Sequence, residues 1–236
     1  MFLFKRDYFL CELNIVEVKH GILKLTSSLS SVLTKYAVNH KGFIGAVIDL
    51  ETDGQPFSDN CPGAGRCKLQ CAVSCAILNE DSVEVIAKTW ESPDWVFTKE
   101  VEKCLAQTKH PYYAFNAGFD MAILSKLLGK EVLFDRELQQ FDRQRKGSCR
   151  QSLGIPNFDD PFHDNGRLAG LEWKKHLKTR ERECVKKIMA HNLTCVLKEY
   201  CILVRGGYRE IDPSSVKTFF EEKGDIVCGA CQKLDE

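Results

Sequence analysis

Along the chain, apolar residues fall into runs whose spacing sets the expected elements. Gly45, Ala46, Val47 and Ile48 form an unbroken small or apolar run. That is the pattern of a central strand covered on both faces. Residues 69–78 and 83–90 read as two more strands joined by a short polar turn. With the first run they predict a three-stranded antiparallel meander. Residues 97–108 follow as a helix with Val101, Cys104 and Leu105 inward, and 112–115 is a short apolar strand. Asn116 stands where a helix N-cap would, and 117–128 continues as helix. Residues 132–134 make a fifth, short strand. Residues 180–204 carry a long helical stripe: Val185, Ile188, Met189, Leu193, Val196, Leu197, Tyr200 and Val204. Near the start, Ile22, Leu25, Leu29, Val32, Leu33 and Tyr36 suit one face of a helix over 22–38.

Strands, helix, strand, helix, strand and then helices predict an α/β protein with a mixed sheet and helices on both faces. The expected division is an N-terminal extension over 1–41, partly helical, a domain over 42–210, and a tail over 211–236. The tail follows the break at Asp212-Pro213 and holds Cys228-Gly-Ala-Cys231. Residues 135–165 read as irregular and polar.

The chain has 236 residues, enough for a sizeable core. Lys plus Arg and Asp plus Glu both number 33, so any grip on nucleic acid must come from a local patch rather than from bulk charge. No apolar run reaches transmembrane length. The first twenty residues carry charges through their apolar part and do not read as a signal peptide. The twelve cysteines therefore read as thiols or metal ligands in a cytoplasmic protein, with no membrane as partner. Cys71, Cys75, Cys104, Cys184 and Cys201 sit inside apolar patterns, and most of them are expected in the core.

The candidate chemistry begins at the end of the first strand. Asp49 and Glu51 are two residues apart, so they share a side, roughly 6–7 Å apart along the chain. A divalent ion would relieve their repulsion, and oxygen ligands suit magnesium or manganese. A solvated strand end is the plain alternative. Asp49-Leu50-Glu51-Thr52, with Gly54 after it, resembles the first motif of the RNase H-like 3′–5′ exonucleases of the DEDD superfamily. YAFNAGFD, over 113–120, resembles their second motif, with Asn116, Phe119 and Asp120 in its places. A helix dipole would favour an acid at Asp120 in any case. It does not account for that acid following D-x-E by about seventy residues. HNLTCVLKEY, over 191–200, is similar to the YNxxD-type last motif, with His191 for the tyrosine and Cys195 for the final aspartate.

The resemblance implies an RNase H-like mixed five-stranded sheet and two-metal hydrolysis of phosphodiester bonds at a 3′ end. Asp49, Glu51 and Asp120 would hold Mg2+ or Mn2+, with His191 and Cys195 completing the catalytic set. His191 would orient or deprotonate the attacking water. The partner implied is single-stranded or 3′-ended nucleic acid, DNA or RNA. Thr52, Asn116, Phe119 and Asn192 would lie at the substrate. Cys195 departs from the pattern, because a thiolate suits zinc or iron better than magnesium. Three outcomes stay open: an inactivated, nucleic-acid-binding relative, weak activity on three acids, or replacement of the lost acid by Glu199.

Positive charge gathers between 141 and 187 and includes Arg143, Arg145, Lys146, Arg150, Lys174 and Lys175. It could contact phosphates, with Arg145 and Lys146 as substrate contacts, or form a solvated helix face. Phe158, Phe162 and Trp173 could stack bases, although core packing suits Trp173 better. Cys228 and Cys231 have half a zinc-site spacing, which Cys61 and Cys67 could complete, so a structural Zn2+ is one option.

Overall fold

The computed structural model describes residues 14–54, 71–141 and 144–211. Its elements form one mixed eight-stranded sheet with six helices, an α/β arrangement. Strand β3 (Ala46–Thr52) is buried at every position. β4 (Ala72–Leu78) pairs with it antiparallel, and β5 (Ser82–Ala87) returns antiparallel on β4, giving the predicted meander. On the other edge, β6 (Tyr112–Ala114) runs parallel to β3 through only two pairs, Ala46 with Tyr112 and Val47 with Tyr113. The chain thus leaves β3 for one neighbour and later returns to the opposite side. In α/β sheets such a switch opens a crevice at the strand's C-terminal end.

Alternation along β3 divides its side chains between two cores. Ala46, Ile48 and Leu50 pack with α2 (Asp94–Leu105) and α3 (Ala117–Leu128). Val47 faces the opposite core, filled by Val185, Ile188, Leu193, Val196 and Tyr200 of α6 (Arg182–Gly206). Asp49 and Glu51 share the face of Val47, so the strand's two acids are turned toward α6. A third helix, α5 (Arg167–Thr179), closes on the end of β3. The close approach requires glycine on both sides. A Cβ on Gly54 would lie 2.8 Å from the Gly170 Cα, and one on Gly170 would lie 2.6 Å from the Gly54 Cα.

Three expectations are corrected. The helix expected over 22–38 is a strand followed by a short helix: β2 (Ile22–Ser28) and α1 (Leu29–Lys35). Ile22, Leu23 and Leu25 are buried on β2, which pairs with β1 (Ile15–Lys19) and with β5. The same sheet therefore runs back across residue 41. The spacing of Ile22, Leu25 and Leu29 fits a helix face, but the open edge of β5 claims the first part as a strand, and the helix begins only after the Ser28 cap. The fifth strand is not at 132–134: Phe134 is a core residue, and β7 (Arg136–Glu137) pairs with β6, with β8 (Arg209–Glu210) outside it. The stretch expected to be irregular contains α4 (Lys146–Ser152). Of the five cysteines in apolar patterns, Cys75, Cys104, Cys184 and Cys201 are buried as expected of most, and Cys71 is exposed. Cys61, Cys67, Cys228 and Cys231 lie outside the described residues.

Candidate metal centre

The site is assembled where β3, α3, α4, α6 and the loop before α5 meet. Helical spacing aligns His191, Cys195 and Glu199 on one face of α6, one turn apart. All three are buried, as are Asn192 and Lys198 beside them. Such polarity on a helix otherwise packed into the core requires partners from neighbouring elements.

Asp49 is held from two directions. Asn192 Nδ2 donates to its Oδ2 at 2.6 Å and to its backbone oxygen at 3.1 Å, and Ser74 Oγ donates to Asn192 Oδ1 at 2.8 Å. The Lys146 ammonium, from the first turn of α4, lies 2.6 Å from Asp49 Oδ1 and 2.5 Å from Glu199 Oε1. Lys146 thus bridges a strand carboxylate and a helix carboxylate. Burial lowers its affinity for a proton, but Asp49, Cys195 and Glu199 outweigh that and hold the ammonium well above the usual lysine range. Burial pushes the Glu199 carboxyl well up; Lys146 opposes that shift, and Asp49 and Asp120 add to it.

Asp120 sits in the first turn of α3, and its Oδ1 accepts the Leu50 backbone N–H at 3.1 Å. That amide lies beyond the two residues of β3 that pair with β6. The short pairing therefore leaves a buried donor, and the carboxylate satisfies it. Burial, reinforced by Asp49, holds this carboxyl well above its ordinary range.

Glu51 belongs to a second grouping. Its Oε1 lies 3.3 Å from His191 Nε2, and Cys195 Sγ lies 3.6 Å from the same nitrogen. Glu51, His191 and Cys195 could hold a metal ion: one ligand atom from each lies within 4.8 Å of the others. Among the described residues this is the group of three that converges so closely. It contains one of the three acids expected to share an ion, together with the histidine and the cysteine of the last motif. Asp49 and Asp120 stand beside it with the partners described above. Burial raises the Glu51 carboxyl, and His191 opposes this. Burial also pushes the Cys195 thiol up, which makes it a poor free nucleophile.

Behind His191 lies a support that local sequence spacing did not reveal. His191 Nδ1 is 2.6 Å from Asp160 Oδ1. Asp160 also accepts the backbone N–H of Phe162 and of Asp164, both at 2.8 Å, and the Lys198 ammonium at 2.6 Å. Lys198 reaches Asp164 at 2.7 Å, and Arg150 holds Asp164 at 3.1 Å. Burial would raise the Asp160 carboxyl, but His191 and Lys198 reverse this and hold it below its usual range. The loop carrying these acids places Phe158, Asp159, His163 and Asp164 at positive φ. Non-glycine residues hold such angles only where the surroundings fix them. The buried Phe158 and Phe162 side chains and the Asp160–Lys198 pair provide that fixing.

Phe158, Phe162 and Trp173 are buried core residues, which corrects base stacking by the two phenylalanines and agrees with core packing of Trp173. Of the expected substrate contacts, Thr52 and Asn192 are buried, Phe119 is half-buried, and Asn116 and Arg145 are exposed. Lys146 points at the acids. Much of the basic stretch is paired within the chain: Lys175 with Glu181 at 3.2 Å, Lys186 with Glu183 at 3.5 Å, and Arg182 with Glu17 and Glu91 at 2.5 Å. No helix among the described residues is long and apolar enough to cross a membrane. No protein-family model matches the chain, and no curated protein matches it.

Proposed function

We propose that the chain is an RNase H-like domain of the DEDD exonuclease type, acting on phosphodiester bonds at nucleic-acid 3′ ends with turnover lowered by its altered centre. The observation that carries this reading is the meeting of Asp120 with β3: Oδ1 accepts the Leu50 N–H beside Asp49. The central strand order β5-β4-β3-β6-β7 supports it, with two acids ending the middle strand and a third opening the following helix.

The resemblance implies Mg2+ or Mn2+ held by Asp49, Glu51 and Asp120. The residues as arranged do not fit a pair of hard ions. Asp49 spends one oxygen on Lys146 and the other on Asn192, and the converging donor set includes nitrogen and sulfur. What the chain itself offers is a fixed histidine, because the Lys146 ammonium is already taken up by Asp49 and Glu199. His191, fixed by Asp160 at Nδ1, presents Nε2 toward Glu51, where, with no metal ion on that nitrogen, it would hold a proton of a bound water. Seven described cysteines stand as free thiols, which suits an intracellular setting.

The cysteine at 195, where the last motif would carry its acid, favours a second reading, a non-catalytic nucleic-acid-binding module. One experiment separates the two. A 3′-labelled single strand, DNA and RNA in turn, is incubated with manganese and either the wild type or Asp49→Ala. Slow loss of label with the wild type and none with Asp49→Ala supports the exonuclease. Retained strand with measurable binding supports the module. Neither binding nor cleavage overturns both.

A further inference from the structure

We propose that Glu51, His191 and Cys195 bind a single transition-metal ion of the zinc class, in a tetrahedral site with its fourth position open. The inference rests on ligand geometry and stands whether or not the chain cleaves nucleic acid.

The distances carry it. A tetrahedral zinc-class ion has bonds of about 2.0–2.1 Å to nitrogen and oxygen and about 2.3 Å to sulfur. These place a nitrogen and an oxygen ligand about 3.3 Å apart, and a nitrogen and a sulfur about 3.6 Å apart. The structure gives 3.3 Å from His191 Nε2 to Glu51 Oε1 and 3.6 Å from Nε2 to Cys195 Sγ. The remaining edge, sulfur to carboxylate oxygen, is about 3.6 Å in the same tetrahedron, and the structure bounds it only at under 4.8 Å.

The surroundings match what such an ion requires. A metal-ligating histidine commonly gives its second ring N–H to a carboxylate, which fixes the ring and strengthens the ligand nitrogen. His191 has that carboxylate in Asp160 at 2.6 Å, itself held by Lys198 and two backbone amides. Gly166, which precedes α5, lies beside the donors: a Cβ there would be 3.7 Å from His191 Nε2 and 4.0 Å from Glu51 Oε2, in ordinary contact with both. The donor set selects the metal. One carboxylate oxygen, one imidazole and one thiolate suit zinc or its analogue cobalt(II), whereas magnesium prefers oxygen throughout. A single ion is proposed because the neighbouring Asp49–Glu199 position already holds the Lys146 ammonium.

The test uses the full chain, stripped with a chelator and titrated with cobalt(II). Sulfur coordination gives a near-ultraviolet charge-transfer band, and four-coordination gives strong visible bands. The expected result is both, saturating at about one ion per chain. Cys195→Ser, close in size, should remove the near-ultraviolet band and weaken binding at least tenfold, with an unchanged melting curve in the absence of metal. Because Cys228 and Cys231 could also take cobalt, the band is recorded in Cys228→Ser/Cys231→Ser, where it should persist. A band lost with the tail cysteines, a band unaffected by Cys195→Ser, an octahedral spectrum, or no binding would each overturn the site. No outcome depends on cleavage, so a failure here leaves the nuclease reading to its own experiment.

Discussion

The polar centre has two halves built from the same strand and the same helix, and they treat buried charge differently. In one half, Asp49 of β3 and Glu199 of α6 flank the Lys146 ammonium at 2.6 and 2.5 Å. In the other, Glu51 of β3 meets His191 and Cys195 of α6, whose donor atoms lie within 4.8 Å of one another, and a second lysine, Lys198, acts one step away through Asp160. The first half carries its own counter-cation, with the Glu199 oxygens met by that charge rather than by hydrogen bonds. The second spends its lysine on holding the histidine and leaves oxygen, nitrogen and sulfur pointing inward. Two acids two residues apart on one strand therefore do unequal work, and the elements facing them decide which could take an ion.

The largest break in that comparison should come from Lys198→Met. Lys198 is fully buried against Asp160, which is also buried. Removing one member of a buried pair leaves an uncompensated charge and costs about 3–5 kcal/mol. Urea unfolding should show that loss, and cobalt binding at His191 should weaken with it. Asp160→Asn added to Lys198→Met should recover part of the stability, because the stranded charge goes. A loss below about 1 kcal/mol for the single variant would mean that the pair does not hold the second half together.

How much of this was legible in the sequence follows from the range of each interaction. The fully buried β3, the meander, α3 and α6 are local patterns, and their spacing identified them. The facing of Asp49 and Glu51 toward α6 followed from alternation once the strand was known. The N-terminal hairpin was not legible, because Ile22, Leu25 and Leu29 satisfy a helical period as well as the strand that the free edge of β5 imposes. Nor was the role of Lys146, which meets Asp49 across 97 positions, or that of Asp160, which lies 31 positions before His191 in a stretch without periodicity. One signal was present: Lys198 and Glu199 stand side by side within an apolar helix. Charges so placed demand buried partners, and asking for them would have pointed to a lysine and an acid elsewhere in the chain.

A smaller effect sharpens the comparison from the other half. Lys146→Met leaves Asp49 and Glu199 facing each other without their shared cation. The hydrogen bonds lost are to charged groups, worth about 1.5–3 kcal/mol, and the Lys146 side chain is only 22% exposed. The informative readout is metal dependence. Manganese should raise the melting temperature of Lys146→Met well beyond that of the wild type, since an ion that binds only the folded state stabilises it by about 2.7 kcal/mol at a hundred times its dissociation constant. Equal shifts in the two proteins would show that Lys146 does not occupy a cation's place.

The smallest expected effect tests whether chemistry or position sets the difference between the halves. Cys195→Asp keeps the position one turn from His191 on α6 and replaces soft sulfur with hard oxygen. The side chain stays fixed by the docking of Val185, Leu193, Val196 and Tyr200, all fully or almost fully buried in the same core. Its carboxylate would then stand with Glu51 near His191 Nε2, giving two oxygens and one nitrogen in place of the mixed set. Such a set ranks magnesium and manganese higher and thiophilic ions lower. Manganese binding should tighten about tenfold, or about 1.4 kcal/mol, and the sulfur-to-cobalt band should vanish. The metal-free variant should be slightly less stable than the wild type, because a third carboxylate joins Glu51 and Asp49 in a buried space. Manganese should reverse that order. If manganese affinity is unchanged while the variant folds normally, the identity of residue 195 does not set the metal preference, and the difference between the halves lies in Lys146 alone.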